Sequence, residues 1–250
     1  MTTPIRRALV TGATSGIGRA IAEALAAQGV HVLVTGRDGR RGEEVVAAIR
    51  SARGHADFVG ADLSSADSVL SLAAQANTRL GGVDILINNA GIYTFGPSTA
   101  ETAASFDAMY DTNVKAPLLL TGKLAPAMAG RGWGRIVNLT TMVAYFGMAG
   151  AALYGSSKPA LQLLTQAWAA EYGPSGVTAN AIAPGPVRTP GTAGMGDALE
   201  QIGKTVPAGR VGTPAEIAAV AVFLTSEAAS YVNGAVLAVD GGFLASGVNQ

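Results

Sequence analysis

The sequence predicts an α/β protein built on a doubly wound, mostly parallel sheet of seven strands with helices on both faces. Short apolar runs alternate with longer helical patterns along the chain, which is typical of parallel sheets. Glycine accounts for 33 of 250 residues, well above the usual ~7%, and this excess indicates tight turns and close backbone approach. Polar or glycine-rich clusters follow several strands directly, at the edge where such sheets bind ligands.

Composition and charge argue against several classes of protein. The chain carries 17 basic and 17 acidic residues, and no basic run suggests a nucleic-acid interface. With no cysteine and only two histidines, we predict neither a disulfide nor a metal site. The longest apolar run, residues 217–224, is far below the ~20 residues of a membrane span. No signal hydrophobic region follows the first arginines, so we expect a soluble, cytoplasmic protein.

The first predicted strand, residues 5–11, leads into a glycine-rich turn and then a helix that runs through Gln28. A strand, a glycine-rich turn and a helix in this order favour a phosphate site over a bare turn. Gly12 permits the tight turn, while Gly16 and Gly18 let a pyrophosphate approach the N–H groups of the helix. The spacing Gly-x-x-x-Gly-x-Gly differs from the commoner Gly-x-Gly-x-x-Gly fingerprint.

The end of the second strand, residues 31–35, bears on the choice between NAD and NADP. An acidic residue here accepts the ribose hydroxyls of NAD, whereas arginine accommodates the 2′-phosphate of NADP. Counting ~20 residues past the glycines reaches Asp38 and favours NAD. Placing residues from the strand end instead selects Gly36 and Arg37 and favours NADP. Because loop lengths vary, we follow the strand end and predict NADP(H), with NAD(H) less favoured.

The remaining segments continue the alternation of strands and helices. Further strands are predicted at residues 56–61, 83–87, 134–139, 177–183 and 235–239, and helices at 42–53, 66–80, 154–172 and 214–225. Residues 188–209 are rich in Gly and Ala without a firm period, which indicates a mobile substrate lid. Without a repeat or a boundary, the whole of 1–250 is predicted to be one dinucleotide-binding and catalytic domain.

A long helical region, residues 102–128, contains Asn113 and Pro117 four positions apart. Proline has no N–H, so the carbonyl of Asn113 loses its helical partner. That carbonyl is then free for another donor such as a water molecule. An ordinary kink explains the same pattern equally well, and the sequence leaves both interpretations open.

Tyr154 and Lys158 are also four residues apart, so a helix places them on one face. A free phenol titrates near ~10, and a cation held close lowers that pKa by favouring the phenolate. The pair could then donate and accept a proton near neutral pH. Taken alone, such a pair is typical of a solvated helix face, and only the rest of the chain favours a catalytic role.

Together these motifs resemble the short-chain dehydrogenase/reductase family in its single-domain branch, and the resemblance covers residues 11–242. It is carried by residues 11–18, Asp62 with Leu63, residues 88–91, Asn113, Tyr154 with Lys158, residues 180–185 and residues 240–242. The resemblance implies a Rossmann-type fold. It also implies cofactor binding by Gly12, Thr14, Ser15, Gly16, Ile17, Gly18, Arg37, Asp62, Leu63, Asn89, Ala90, Gly91, Tyr154, Lys158, Pro184, Gly185, Val187 and Thr189.

The resemblance further implies a catalytic set. Tyr154 would be the general acid/base, and Lys158 would lower its pKa and hold the nicotinamide ribose. Asn113 would position a water that relays protons to Lys158. Thr141 stands thirteen residues before the tyrosine, where the family usually has serine. Threonine keeps the hydroxyl that holds the substrate oxygen but restricts χ1. Pro159 is also unusual, and we expect it in the first helical turn, where proline is tolerated.

The substrate is less well defined by the sequence. Side chains near the expected pocket are apolar: Tyr93, Phe95, Tyr145, Phe146, Met148 and Met195. Relatives that reduce 3-oxoacyl groups on an acyl carrier protein tend to carry basic residues for that acidic partner. Ser175 occupies one such position here, and Arg131 and Arg135 remain as candidates. A carrier-protein partner is therefore not favoured over a free small molecule.

We therefore predict an NADP(H)-dependent reductase of ketones or 3-oxoacyl compounds that is reversible as an alcohol dehydrogenase. The alternatives are a non-catalytic NADP-binding sensor and an alcohol dehydrogenase that works mainly in the oxidative direction. Charged residues make up only 14% of the chain, and helices 113–128 and 154–172 have more apolar positions than one face needs. Both features predict a homo-oligomer, a tetramer or at least a dimer.

Overall fold

The computed structural model describes residues 5–246, which form one seven-stranded sheet with α-helices on both faces. All strand pairs are parallel, in the order β3-β2-β1-β4-β5-β6-β7. The strands are β1 Arg7–Val10, β2 His31–Gly36, β3 His55–Gly60, β4 Ile85–Asn88, β5 Gly134–Leu139, β6 Val177–Pro184 and β7 Val236–Val239. The helices are α1 Gly16–Ala27, α2 Gly39–Ser51, α3 Ala66–Leu80, α4 Ala103–Tyr110, α5 Ala116–Gly130, α6 Ala152–Tyr172, α7 Asp197–Thr205 and α8 Pro214–Thr225.

The core lies in two layers because successive strand residues point to opposite faces of the sheet. In β1, Ala8 and Val10 pack into the layer shared with α1, α2 and α8. Leu9, between them, packs into the layer shared with α3, α5 and α6. All eight residues of β6 are buried. Such near-continuous apolar strands are expected where helices cover both faces of a parallel sheet.

Strand order reverses between β1 and β4, and this reversal creates the crevice in which such sheets bind ligands. Thr11 and Asn89 join the two strand ends. The Thr11 hydroxyl accepts the Asn89 N–H at 3.0 Å, and the Asn89 side-chain amide donates to the carbonyls of Thr11 and Gly12 at 2.8 and 3.1 Å. The floor of the crevice is therefore made of paired backbone groups from two loops.

The predicted fold is confirmed, and each predicted strand lies within two residues of its observed bounds. Two segments show structure that the sequence did not predict, and the position predicted for Pro159 is wrong. Residues 188–209 contain a short 3-10 helix, Pro190–Met195, followed by α7. The helical region 102–128 is interrupted by a π-helical turn, Asp111–Lys115. Pro159 lies beyond the first turn of α6, because that helix begins at Ala152.

The π-helical turn has a local cause. Pro117 stands in the first turn of α5, where proline is tolerated, and it cannot donate to the carbonyl of Asn113. The backbone hydrogen bonds of the helix therefore span one more residue at that point, which is a π-bulge. Such bulges are frequent at functional sites. The turn leaves Asn113 with no solvent exposure.

No helix within residues 5–246 is long and apolar enough to cross a membrane.

Candidate active site

A cleft of about 470 Å³ opens at the carboxyl ends of β1, β2 and β4. This volume lies within the range of small-molecule and cofactor sites. The cleft is lined by most residues predicted to bind the cofactor: Gly12, Thr14, Ser15, Gly16, Ile17, Gly18, Arg37, Asp62, Leu63, Asn89, Ala90, Gly91 and Thr189.

Glycine is required on the cleft floor because backbone groups meet there without room for a side chain. A Cβ at Gly18 would lie 2.3 Å from both the Gly12 carbonyl oxygen and the Asn89 amide nitrogen. A Cβ at Gly12 would lie 2.8 Å from the Ala90 Cα. Ser15 caps α1 without a side-chain cap hydrogen bond. The N-terminal N–H groups of α1 therefore face the cleft in the manner of a phosphate site, and these residues fit a dinucleotide.

At the far end of the cleft, Arg37 and Asp38 have different surroundings. The Asp38 carboxylate caps α2 by accepting the Arg41 N–H at 3.0 Å, and it also pairs with the Arg41 guanidinium at 2.7 Å. Both bonds lower the pKa of Asp38. Arg37 is exposed on the cleft wall. A Cβ at Gly36 would lie 2.6 Å from the Thr14 methyl group, so strand β2 ends without a side chain at that point.

Asn113 and Lys158 meet beside Gly91. The Asn113 side chain makes a two-point contact with Ile92, accepting its N–H and donating to its carbonyl, both at 2.9 Å. A Cβ at Gly91 would lie 3.2 Å from the Lys158 Nζ and 3.3 Å from the Asn113 Oδ1. The buried amide therefore orders the loop after β4 next to the lysine.

Thr141 and Tyr154 form the second half of the predicted catalytic set. The Thr141 hydroxyl caps the following 3-10 helix by accepting the Val143 N–H at 3.3 Å, and it lies close enough to Tyr154 to lower the pKa of that phenol. The neighbouring hydroxyl of Thr140 donates to the Ile182 carbonyl at 3.0 Å. Of the two neighbouring threonines, Thr141 is therefore the one whose hydroxyl is directed toward Tyr154.

The predicted lowering of the Tyr154 pKa by Lys158 is not found. Burial is the largest influence and raises the pKa of Tyr154, and the hydrogen bond from Thr141 only partly opposes it. Lys158 is itself buried, which lowers its pKa to about 8. Its Nζ lies 6.0 Å from the Tyr154 ring centroid and donates to the Leu139 carbonyl at 3.0 Å. The ammonium is therefore too distant to outweigh the loss of hydration.

Five residues predicted to bind the cofactor do not line the cleft: Tyr154, Lys158, Pro184, Gly185 and Val187. Gly185 packs against Asp240, where a Cβ would lie 2.6 Å from the Asp240 Cα. Val187 is buried beside Gly212. The cleft also contains residues that were not predicted to bind there: Gly36, Asp38, Arg41, Ala61, Ser64, Ile92, Tyr93, Ala108, Thr112 and Gly191. Most of these residues reach the cleft because loops that are distant in the chain converge there, and a local sequence motif does not reveal such convergence.

The basic residues considered for a carrier protein lie at the opposite edge of the sheet. Arg135 is the second residue of β5, is almost fully buried and pairs with Glu227. Arg131 donates to the Asp84 carboxylate at 3.1 Å. Both guanidiniums therefore have structural partners at the amino ends of the strands, away from the cleft.

Comparison with known proteins agrees with this geometry. A family model described as enoyl-(acyl carrier protein) reductase matches residues 12–244. The 3-oxoacyl-[acyl-carrier-protein] reductase FabG of Aquifex aeolicus is 38% identical over 236 residues, covering 94% of this chain and 95% of the relative.

Two solved structures extend the comparison to three dimensions. A short chain dehydrogenase/reductase family protein is 46% identical with a TM-score of 0.89, covering 96% of this chain and 97% of its own. A blue fluorescent protein from a metagenomic library, in complex with NADPH, is 34% identical with a TM-score of 0.90, covering 95% and 97%. Because the matches run nearly from end to end, the chain belongs to the short-chain dehydrogenase/reductase family of oxidoreductases.

Proposed function

We propose that the protein is an NADP(H)-dependent reductase that converts a ketone or 3-oxoacyl carbonyl to a secondary alcohol. The observation that carries the proposal is the position of Tyr154 and Lys158 beside the cleft: the Tyr154 ring lies 6.0 Å from that of Tyr93, and Lys158 packs against Gly91, both of which line the cleft. When bound, the nicotinamide supplies the hydride that the carbonyl carbon receives. The chain itself must hold the carbonyl oxygen and protonate it.

Tyr154 suits the protonation step because burial raises its pKa and keeps the phenol protonated at neutral pH. A carbonyl oxygen that gains negative charge can take that proton directly. The reverse reaction needs the phenolate as base, so oxidation of an alcohol is favoured at alkaline pH. The surroundings of Tyr154 thus suit it as the proton donor of the reductive direction at pH 7.

Thr141 is proposed to hold the substrate oxygen. Its oxygen already accepts the Val143 N–H, so the hydroxyl proton is what it can offer. A bound carbonyl oxygen would take that proton in place of the Tyr154 oxygen. A donor placed where charge develops stabilises the transition state more than the ground state. The two-point contact of Asn113 with Ile92 supports a positioning role for that residue beside Lys158.

Arg37 is proposed to bind the 2′-phosphate of NADP. Asp38 is the alternative residue for binding the ribose of NAD, but its carboxylate already accepts the Arg41 N–H and pairs with the Arg41 guanidinium. Arg37, by contrast, lines the cleft. Asp62 and Leu63 line the same end and are proposed to contact the adenine. The lid role predicted for residues 188–209 also remains a proposal, and it is supported by Thr189 and Gly191 on the cleft wall.

A homotetramer is proposed on two exposed apolar surfaces. The first includes Leu118 on α5 and Leu163 on α6, and Leu163 is 68% exposed. The second includes Phe223 on α8 and Tyr231, which is fully exposed. Two distinct self-complementary surfaces generate a closed tetramer with dihedral symmetry, whereas one generates a dimer.

We expect Tyr154→Phe to reduce ketone-dependent NADPH oxidation by about 10²–10⁴-fold, the usual contribution of a general acid. NADPH binding should stay within about twofold, because the ring is retained. Tyr172→Phe removes the same hydroxyl at the end of the same helix and should behave as wild type. Turnover near the wild-type rate in Tyr154→Phe would refute the mechanism, and a wild type inactive on every carbonyl would favour the sensor alternative.

Thr141→Val keeps the β-branch and deletes only the hydroxyl, so we expect kcat to fall about 10²–10³-fold, as for loss of one oxyanion donor. Thr141→Ala should fall equally, and Thr141→Ser should retain substantial activity. Thr140→Val is the matched control, because its hydroxyl bonds the Ile182 carbonyl instead. Steady-state kinetics would exclude the role of Thr141 if Thr141→Val turned over like wild type.

Arg37→Ala should raise the KM for NADPH about tenfold to a hundredfold, because a charge-assisted phosphate contact contributes ~1.5–3 kcal/mol. The KM for NADH should change little. Arg40→Ala removes a nearby arginine that pairs with Glu44 and should leave both values unchanged. Equal effects of Arg37→Ala on the two cofactors would return the choice to NAD.

Light scattering at micromolar concentration should give the mass of four 25.0 kDa chains, about 100 kDa. Leu163→Lys should break one surface and yield dimers, whereas Leu70→Lys, at an exposed leucine on α3, should leave the tetramer intact. A monomeric mass for the wild type would contradict the assembly.

A further inference from the structure

Three aromatic rings form a continuous wall beside the catalytic hydroxyl. The ring centroids of Tyr93 and Phe95 each lie 6.0 Å from that of Tyr154, with interplanar angles of 61° and 75°. Tyr93 and Phe95 lie 6.2 Å from each other. These distances fall within the range of edge-to-face aromatic pairs. The rings keep free surface despite these contacts, because Tyr93 is 43% and Phe95 56% exposed.

Contacts between loops bring three segments together around this wall. The Gly96 N–H donates to the Gly150 carbonyl at 2.8 Å, which joins the loop after β4 to the loop after β5. The Tyr93 hydroxyl lies against Gly191, where a Cβ would be 2.5 Å away, and so reaches the 3-10 helix of the third segment. The wall is therefore shared by residues 92–97, 142–157 and 189–196.

These three segments contain no charged residue and no histidine. One carboxylate, that of Asp240, acts on the wall by contributing to a raised pKa at Tyr145. Its two oxygens already accept the N–H groups of Gly242 and Leu244, each at 2.9 Å. The adjoining cations are already engaged, because the buried Lys158 ammonium donates to the Leu139 carbonyl and Arg188 pairs with Glu200 at 2.8 Å. An anionic substrate would therefore find no unpaired cation at the wall and would lose hydration without compensation.

From these observations we infer that the substrate is an uncharged ketone bearing a six-membered ring, held edge-to-face by Tyr93 and Phe95 next to Tyr154. The inference rests on the proposed reductase function and narrows its substrate class. It makes Phe95 a specificity-determining residue, because Phe95 touches the ring of the acid/base residue and lies outside the dinucleotide cleft. Long acyl chains and sugar acids fit this wall less well, since the first offer no ring edge and the second need hydrogen-bonding partners.

Acetophenone, 2-octanone and 4-acetylbenzoate test the inference with NADPH. The first two have the same number of carbons and differ in the ring, while the third adds a carboxylate to the ring. We expect kcat/KM for acetophenone to exceed that for each of the others by about tenfold, the scale of an aromatic pair or a desolvated charge. Equal values for acetophenone and 2-octanone, or a preference for 4-acetylbenzoate, would overturn the inference.

Two variants separate aromatic contact from apolar bulk. Phe95→Leu keeps apolar area and Phe95→Ala removes it, and we expect both to lower the acetophenone/2-octanone ratio about five- to tenfold. Because Phe95 is exposed, neither should change the melting temperature appreciably. An unchanged ratio in Phe95→Leu would show that only bulk matters and would overturn the role of the ring.

A binding measurement distinguishes failure of this inference from failure of the proposed function. Tyr154→Phe retains all three rings, so saturation-transfer NMR should detect acetophenone bound to it and lose that signal in the Tyr154→Phe/Phe95→Ala double variant. If an acetoacetyl thioester is reduced and acetophenone is neither reduced nor bound, the reductase function stands and the ring-ketone inference fails. If no carbonyl is reduced, the reductase function fails, and binding of acetophenone alone decides whether the wall recognises rings.

Discussion

The close approach of Gly12, Gly18 and Asn89 is the contact on which the rest of the site depends. The Asn89 amide donates to the Gly12 carbonyl at 3.1 Å, and a side chain at Gly18 would overlap both groups. This contact joins the ends of β1 and β4 at the point where strand order reverses. It sets the start of α1, the floor of the cleft and the path of the loop toward Gly91, which in turn packs against Lys158 and Asn113. A side chain at Gly12 or Gly18 would therefore displace the loop after β4 that carries Asn89 and Ala90.

Burial, rather than charge pairing, sets the proton chemistry of the site. Loss of hydration raises the pKa of Tyr154 and lowers that of Lys158 to about 8, because the protein interior disfavours the charged form of each group. The two effects leave a phenol that holds its proton at neutral pH and an ammonium that faces a backbone carbonyl. Such a pair favours donation of a proton to a nascent alkoxide. A residue's nominal role as acid or base therefore follows from its surroundings as much as from its partner.

The two edges of the sheet carry opposite kinds of surface. At the amino edge, the guanidiniums of Arg6 and Arg135 lie 3.5 and 4.3 Å from the Trp133 ring centroid, and both pair with Glu227. At the carboxyl edge, the segments around Tyr154 have no ionised side chain of their own. The charged groups at the amino edge therefore serve structure, whereas the aromatic segments at the carboxyl edge are uncharged and adjoin the buried Lys158 ammonium. This division separates the arginines considered for an acidic partner from the active site.

The sequence by itself determined the α/β class, the seven strands and the glycine turn, because apolar periodicity and turn chemistry are local properties. Family resemblance also predicted Asn113, Thr141, Tyr154 and Lys158 as the catalytic set, and the fold places Asn113 and Lys158 against Gly91 at the cleft wall. Only the tertiary structure decided the direction of the Tyr154 pKa shift and the capping role of the Asp38 carboxylate. It alone also revealed the wall that Tyr93 and Phe95 build against Tyr154. The pKa shift of Tyr154 arises from burial, and the aromatic wall arises from contacts between segments far apart in the chain. The Asp38 cap depends on where α2 begins. Local sequence patterns therefore do not report these three features.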